Sequence, residues 1–201
     1  MLDRFVTALI RPPVETMARF LVRCGLRADR ITLVGFGIGM VGAALIAAQA
    51  YGAGLACLLL SRLCDALDGA VARQTQTTDA GGFLDIVLDF LFYASVPLAF
   101  AWAQPQANAL AAATLLAAFV GTGASFLAFA ALAAKRGFVS AHFPNKSFYF
   151  LGGLTEATET LACFVAMCLW PEHFAALAYG FAGLCAITIL TRTLWGWRSL
   201  S

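Results

Sequence analysis

Long apolar stretches separated by short polar segments fill the chain from residue 31 onwards. The pattern predicts six helices, at about 31–49, 52–73, 80–103, 108–134, 147–170 and 174–197. Each is close to the roughly 20 residues that a helix needs to cross a bilayer. The pattern therefore predicts an all-α membrane protein with six transmembrane helices.

The first thirty residues show a different pattern, in which arginines recur among apolar residues. The arginines are Arg4, Arg11, Arg19, Arg23, Arg27 and Arg30. This mixture predicts an amphipathic helix that lies in the membrane interface, interrupted near Pro12 and Pro13. We therefore divide the chain into an amphipathic juxtamembrane segment, 1–30, and a six-helix domain, 31–201.

Composition supports a membrane protein. The chain has 201 residues, of which 61% are hydrophobic and 12% charged, and its mean hydropathy is +0.83. Soluble domains have roughly 45–50% apolar and about 25% charged residues. The net charge is only +2, and we expect membrane lipids rather than nucleic acid among its partners.

The placement of lysine and arginine predicts the orientation of the helices. Cationic residues occur in the N-terminal segment, between the fourth and fifth predicted helices (Lys135, Arg136 and Lys146) and near the C-terminus (Arg192 and Arg198), but not in the turns near residues 50, 105 and 172. Cytoplasmic loops carry the excess of such residues. We therefore expect both termini on the cytosolic side of a bacterial inner membrane.

Negative charge is concentrated in one stretch, DALDGAVARQTQTTDAGGFLDIVLDF, from Asp65 to Phe90. Asp65 and Asp68 are three residues apart, and Asp85 and Asp89 are four apart, so each pair lies on one helical face. A tight turn would make the two helices antiparallel neighbours. Four carboxylates around one volume would repel one another, and a divalent cation would relieve that repulsion.

The ligand type predicts the ion. Oxygen-only ligands favour hard cations, so we expect Mg²⁺, with Mn²⁺ as an alternative, as one or two ions. Gly69 and Gly81 would let a ligand approach the backbone, and Arg73 has the planar fork that suits phosphate oxygens. An ion-pair cluster with Arg62 and Arg73 is the structural alternative, but two arginines cannot balance five aspartates.

At these residues the sequence resembles the CDP-alcohol phosphotransferase family. The family signature, D-x2-D-G-x2-A-R-x8-G-x3-D-x3-D, is matched by Asp65, Asp68, Gly69, Ala72, Arg73, Gly81, Asp85 and Asp89. One departure is that seven residues, rather than eight, separate Arg73 from Gly81. The departure affects the turn at 74–80 and leaves the four aspartates in register.

The resemblance implies the reaction and the site. A CDP-linked donor, most often CDP-diacylglycerol, would lose CMP as an acceptor hydroxyl attacks its lipid-linked phosphorus. The aspartates Asp65, Asp68, Asp85 and Asp89 would hold the metal, and Asp89 would also be the general base. The nucleotide would contact Asp65, Gly69, Ala72, Arg73, Gly81 and two hydroxyls, Thr32 and Thr78.

The acceptor is less well defined by the sequence. Glu156 and Glu159 lie three residues apart within a polar stretch of the fifth predicted helix, and either acceptor binding or a salt bridge would explain them. Lys146 and Arg192 could bind a phosphorylated acceptor. We expect a small polar alcohol, with glycerol 3-phosphate as the favoured candidate.

Two other interpretations remain at this point. The donor could be a soluble CDP-alcohol with a lipid acceptor, or the aspartates could line a cation channel or transporter. A channel would not explain the fixed offsets of Gly69, Arg73 and Gly81. Homodimers are usual in the family, and the Gly- and Ala-rich helices would permit one.

Overall fold

The computed structural model describes residues 3–136 and 155–201, and these residues form seven α-helices. The helices are α1 Asp3–Arg23, α2 Ala28–Ala47, α3 Tyr51–Gln74, α4 Asp79–Ala103, α5 Pro105–Lys135, α6 Ala157–Leu169 and α7 Phe174–Leu200. A short 3₁₀ turn, Pro171–His173, connects α6 to α7. The all-α prediction is confirmed for the described part of the chain.

The predicted boundaries agree with the observed ones to within a few residues for α2, α3, α4, α5 and α7. The fifth predicted helix, 147–170, differs at its start. Residues 147–154 lie outside the described residues, and α6 begins only at Ala157. Glu156 is extended, with φ −107° and ψ −177°, so the helix cannot include it.

The amphipathic helix α1 runs through Pro12 and Pro13 without a break, so the predicted interruption was wrong. Each proline lacks the N–H that would bond the carbonyl four residues earlier. Contacts with the rest of the fold stabilise the helix instead, because Val14 and Ala18 are buried in a cluster with Leu67, Ala70 and Val71 of α3. The division at residue 30 stays a prediction.

Helix α2 is the element against which α3 and α4 both pack closely, whereas α3 and α4 approach each other only slightly among the described residues. The two helices are neighbours through their side chains, as the contact of Arg62 with Asp89 shows, and not through close backbone packing. The glycines of α2 explain this packing. Because they carry no side chains, α3 and α4 can both approach the α2 backbone closely. A Cβ on Gly42 would lie 3.0 Å from Cys57 Cβ of α3, and one on Gly39 would lie 2.6 Å from Cδ2 of Phe92 in α4.

Aromatic rings fill the core at the end of the bundle away from the aspartates. Phe100 stacks on Phe174 with ring centroids 4.6 Å apart and on Tyr51 at 5.6 Å. Gln49, in the turn between α2 and α3, has φ +63° and donates its side-chain amide to the Ala103 carbonyl at 3.0 Å. These contacts fix the α2–α3 turn against the end of α4.

Four segments of the described chain are long and apolar enough to cross a membrane. They are Ala28–Ala47, Asp79–Ala103, Pro105–Lys135 and Pro171–Leu200. Helix α6 is apolar but shorter, and α3 carries Arg62, Asp65, Asp68 and Arg73 between its middle and its C-terminal end. This charged part of α3 packs against the amphipathic helix α1 and against α2.

Replacing Gly54 with leucine should destabilise the protein by about 1–3 kcal/mol, because the site has no room for a side chain. A Cβ at Gly54 would lie 2.6 Å from Ile46 Cγ1 and 3.0 Å from the Gly42 carbonyl oxygen. Thermal unfolding in detergent would measure the loss. Gly52→Leu on the same helix is the control, since nothing lies within 4 Å of its Cβ position; equal losses would contradict close packing of α2 on α3.

Candidate active site

The carboxylates of the site come from the second half of α3 and the first half of α4. Four residues, 75–78, connect the two helices. Thr78 caps α4, and its Oγ1 accepts a hydrogen bond from the Gly81 N–H at 3.0 Å. Such a cap stabilises a helix by about 1 kcal/mol. The short turn thereby fixes where α4 begins and so sets the positions of Asp85 and Asp89.

Three of the carboxylates, from Asp65, Asp68 and Asp85, converge. Each offers an oxygen that lies within 4.8 Å of the other two. They border a small cavity of about 10 Å³, lined also by Thr32 and Ser61, which is close to the space that one water molecule needs. The spacing predicted that four aspartates share one volume. The structure brings three of them together as a cluster.

Asp68 is the most enclosed of these carboxylates. It is 5% exposed, and its Oδ2 is buried without a hydrogen-bond partner among the described residues. A buried carboxylate oxygen that lacks a partner is costly, and a coordinated cation would satisfy it. The residues present therefore fit a hard divalent cation.

Asp89 has a different partner from the other three aspartates. Its Oδ1 accepts a hydrogen bond from Arg62 Nη1 at 2.7 Å, and the same nitrogen lies 3.4 Å from Asp65 Oδ1. The Arg62 guanidinium lies over the Phe92 ring, 3.9 Å from its centroid. Asp89 also lines the small cavity, so it belongs to the site but is held by an arginine at its edge.

A cavity of about 150 Å³ lies on one side of Asp68 and Asp85. The predicted nucleotide residues among its lining are Thr32, Gly69, Ala72, Thr78 and Gly81. Gly81 must be small, because a Cβ there would lie 3.0 Å from Thr78 Oγ1 and 3.1 Å from Asp29 Oδ1. The structure thus brings together five of the residues that the sequence assigned to the nucleotide.

A larger cavity of about 500 Å³ lies on the other side of the carboxylates, between α1, α3, α4 and α6. Its polar lining includes Arg11, Glu15, Arg62, Asp65, Arg73 and Thr158. Arg11 Nε donates to Glu15 Oε1 at 2.6 Å, and this hydrogen bond holds the pKa of the Glu15 carboxyl below its usual range. Gly69 borders both cavities, so they adjoin at the same turn of α3.

Of the predicted acceptor residues, Glu156, Glu159 and Arg192 lie in the described part of the chain, and each makes a hydrogen bond within the fold. Glu156 caps α6, and Glu159 Oε2 in turn accepts a hydrogen bond from the Glu156 N–H at 3.2 Å, which forms a capping box. Arg192 donates to the Thr122 carbonyl of α5 at 3.3 Å. Lys146 lies outside the described residues. Glu156, Glu159 and Arg192 are not among the residues that line the larger cavity.

Sequence reasoning missed several residues of the larger cavity. Arg11 was interpreted only as part of an interfacial helix, and Glu15 and Tyr93 were not singled out. The signal for Arg11 and Glu15 was their spacing, since residues four apart share a helical face. Nothing in the local sequence indicated that this face of α1 would border the same cavity as Asp65.

The acidic cluster lies beside two cavities whose linings include arginine, threonine and glycine residues, an arrangement that suits the binding of a phosphate-linked substrate. The chain belongs to the CDP-alcohol phosphatidyltransferase family, whose pattern matches residues 26–193. The resemblance inferred from the aspartate signature is confirmed, as is the prediction that the chain is an enzyme of this family.

Two curated relatives illustrate the range of similarity. The chain is 52% identical over 200 residues to the inner membrane protein YnjF of Escherichia coli, covering 100% of this chain and 97% of that protein. It is 46% identical over 70 residues to an archaetidylinositol phosphate synthase of Methanothermobacter thermautotrophicus, covering 34% of this chain and 36% of that enzyme. The first relative is similar over nearly the whole chain.

Solved structures share the fold. The phosphatidylinositol phosphate synthase of Mycobacterium tuberculosis with CDP-DAG bound superposes with a TM-score of 0.67 at 24% identity, covering 92% of this chain and 93% of that one. The same synthase in complex with manganese and citrate gives a TM-score of 0.65 at 22% identity, covering 92% and 88%. At this identity the comparison establishes a common fold.

Proposed function

We propose that this enzyme transfers a phosphatidyl group from CDP-diacylglycerol to the hydroxyl of a small polar alcohol and releases CMP, in phospholipid biosynthesis. The observation that carries the proposal is the cluster of Asp65, Asp68 and Asp85 between two cavities, with an unpartnered Asp68 oxygen. The CDP-DAG in the related mycobacterial structure supports the donor. Family membership favours this transfer over a cation channel.

The metal in this proposal is Mg²⁺ or Mn²⁺, as one or two ions. Asp65, Asp68 and Asp85 would hold the first ion, and Asp89 would contribute to a second. The manganese in the related structure supports a divalent ion of this class. When bound, such an ion polarises the phosphorus and stabilises the negative charge of the leaving phosphate.

The cavity of about 150 Å³ beside Asp68 and Asp85 would take the cytidine diphosphate. Gly69 presents no side chain to the diphosphate, and Thr32 and Thr78, which line the same cavity, would offer hydroxyls. A Cβ on Gly69 would lie 3.2 Å from Arg73 Nη1, so the guanidinium lies beside the exposed backbone at this turn. Together with Asp65, Ala72 and Gly81 these residues would orient the diphosphate against the carboxylates.

Asp89 would be the general base. The acceptor oxygen forms a bond to the lipid-linked phosphorus, the bond from that phosphorus to CMP breaks, and the hydroxyl proton passes to the Asp89 carboxylate. Asp89 borders the small cavity, and its partner Arg62 lines both that cavity and the larger one. An acceptor in the larger cavity would approach Asp89 from the side opposite the nucleotide.

The acceptor class that we propose is a phosphate monoester of a polyol. Arg11 and Arg73 line the larger cavity and suit a phosphate group, and Thr158 on α6 offers a hydroxyl. Glycerol 3-phosphate remains the sequence-based candidate, and the names of the archaeal relatives add an inositol phosphate. Glu156, Glu159, Arg192 and Lys146 stay a proposed second group of acceptor contacts.

The membrane topology is part of the same proposal. Six transmembrane helices, with both termini and the active site on the cytosolic side of the bacterial inner membrane, would agree with the distribution of lysine and arginine. The name of the Escherichia coli relative supports the inner membrane, and four segments meet the length and composition of a span. The division into 1–30 and 31–201 and a homodimer remain part of this proposal.

The reaction can be tested with purified protein, CDP-diacylglycerol and matched acceptor pairs. We expect lipid product and CMP with glycerol 3-phosphate or an inositol phosphate, and at least tenfold less with glycerol or inositol, because only the esters carry a phosphate for the arginines. Mass spectrometry would identify the lipid. Equal turnover of the unphosphorylated alcohols would contradict the acceptor class, whereas no CMP with any alcohol would contradict the donor.

Asp89→Asn should reduce CMP release by about 10²–10⁴-fold, the range over which a positioned base acts. The amide keeps the size of the side chain but cannot accept the proton. CMP release under saturating donor would measure the effect, with Asp79→Asn, an exposed residue in the same helix, as the control. Full activity in Asp89→Asn would exclude it as the base.

Removal of divalent ions should stop turnover, and added Mg²⁺ or Mn²⁺ should restore it. Asp68→Asn should need at least tenfold more metal for half-maximal activity, because the buried oxygen that lacks a partner would lose its charge. A metal titration of activity would measure both effects. Turnover that survives chelation, or an unchanged metal requirement in Asp68→Asn, would contradict the assigned metal site.

A further inference from the structure

Arg62 lies at the point where the carboxylates of α3 and α4 meet. Its Nη1 is 2.7 Å from Asp89 Oδ1 and 3.4 Å from Asp65 Oδ1. Of the described residues that line the small cavity, Arg62 is the only cationic one, beside Asp65, Asp68, Asp85 and Asp89. One positive charge therefore faces four carboxylates.

The position of the guanidinium is set by packing as well as by hydrogen bonds. Its Cζ lies 3.9 Å from the Phe92 ring centroid and 5.5 Å from that of Tyr93. The side chain is only 12% exposed, and its Nε is buried without a hydrogen-bond partner among the described residues. The aromatic face therefore keeps the charge beside Asp65 and Asp89 although not every donor is satisfied.

Asp65 takes part in two interactions of opposite sign. One of its oxygens lies in the cluster with Asp68 and Asp85, where the carboxylates repel one another, and its Oδ1 lies 3.4 Å from Arg62 Nη1, which attracts it. A divalent cation that approached Asp89 would require the oxygens that Arg62 already contacts. Because two cations close together repel strongly in a partly buried site, such an ion and Arg62 would compete.

We propose that Arg62 is an internal counter-ion that competes with divalent cations for Asp65 and Asp89. This inference rests on the metal site of the proposed function. The first ion is held by Asp65, Asp68 and Asp85, and any ion on the Asp89 side binds weakly because Arg62 opposes it. Arg62 is a positioning residue: it keeps Asp89 at the edge of the cluster, where its carboxylate can receive a proton.

A purely structural ion pair would have the opposite consequence for metal binding. If Arg62 only organised the carboxylates, removing it would loosen the cluster and weaken metal affinity. If Arg62 competes with the ion, removing its charge strengthens metal affinity. The sign of the change in affinity distinguishes the two roles.

The experiment is a Mn²⁺ titration of the full-length protein in detergent micelles without substrates, with free Mn²⁺ followed by electron paramagnetic resonance. Arg62→Met keeps much of the side-chain length without charge, Arg62→Gln is a second neutral variant, and Arg62→Lys keeps the charge. Arg23→Gln, at an exposed residue at the end of α1, controls for the loss of one positive charge from the protein.

We expect both neutral variants to bind Mn²⁺ at least about tenfold more tightly at the weaker site, from the size of the Coulomb interaction lost. Arg62→Lys and Arg23→Gln should bind as the unaltered protein does. Thermal unfolding should show the neutral variants less stable than Arg62→Lys in EDTA and stabilised more by Mn²⁺ than the unaltered protein. This second measurement applies even to a variant that is partly unfolded without metal.

Unchanged or weaker Mn²⁺ binding in the neutral variants would overturn the inference, as would equal stabilisation by Mn²⁺ in all the proteins. These results leave the proposed function intact provided that the unaltered protein binds Mn²⁺. Absence of Mn²⁺ binding by the unaltered protein overturns the metal site itself, and with it this inference. The two failures are therefore distinguishable.

Discussion

Repulsion among four carboxylates in a small volume is the constraint on which the rest of this structure depends. Asp65, Asp68, Asp85 and Asp89 lie among apolar helices, where water screens charge less than at an open surface. One arginine offsets part of the repulsion, and one carboxylate oxygen of Asp68 is left buried without a partner. The fold keeps this negative charge in place at a cost to its own stability, because the carboxylates repel one another.

The position of α2 makes this arrangement possible. Because α3 and α4 both pack on α2 and approach each other only slightly, the aspartates face one another across a gap. The gap adjoins the cavity of about 150 Å³ on one side and the cavity of about 500 Å³ on the other. The close packing of glycines on α2 therefore has a chemical consequence as well as a structural one.

Much of the helix pattern and the acidic cluster could be predicted from the sequence, because both depend on local spacing. Asp65 and Asp68 share a face wherever the helix forms, and the apolar stretches define the helices themselves. The interruption at Pro12 and Pro13 failed as a prediction because contacts of Val14 and Ala18 with α3 outweigh the lost hydrogen bonds. Helix propensity is a local property of the sequence. The contact of Val14 and Ala18 with α3 joins residues about fifty positions apart, so local propensity could not reveal it.

Other features depend on pairs of residues that are distant in sequence. Arg62 is three residues from Asp65 but twenty-seven from Asp89, and its stronger contact is the distant one. The capping role of Glu156 and Glu159 could have been anticipated from the E-x-x-E spacing had the start of α6 been known. Arg11 became part of a cavity wall only through the packing of α1 on α3.

One ring connects the helix packing to the charge of the site. Phe92 lies close to the backbone of Gly39, and the Arg62 guanidinium packs over the same ring. Gly39 and Phe92 belong to two segments that are long and apolar enough to span a membrane. A side chain at Gly39 would displace this ring, since its Cβ would lie 2.6 Å from Phe92 Cδ2. The same contact therefore sets both the distance between α2 and α4 and the surface on which the guanidinium rests.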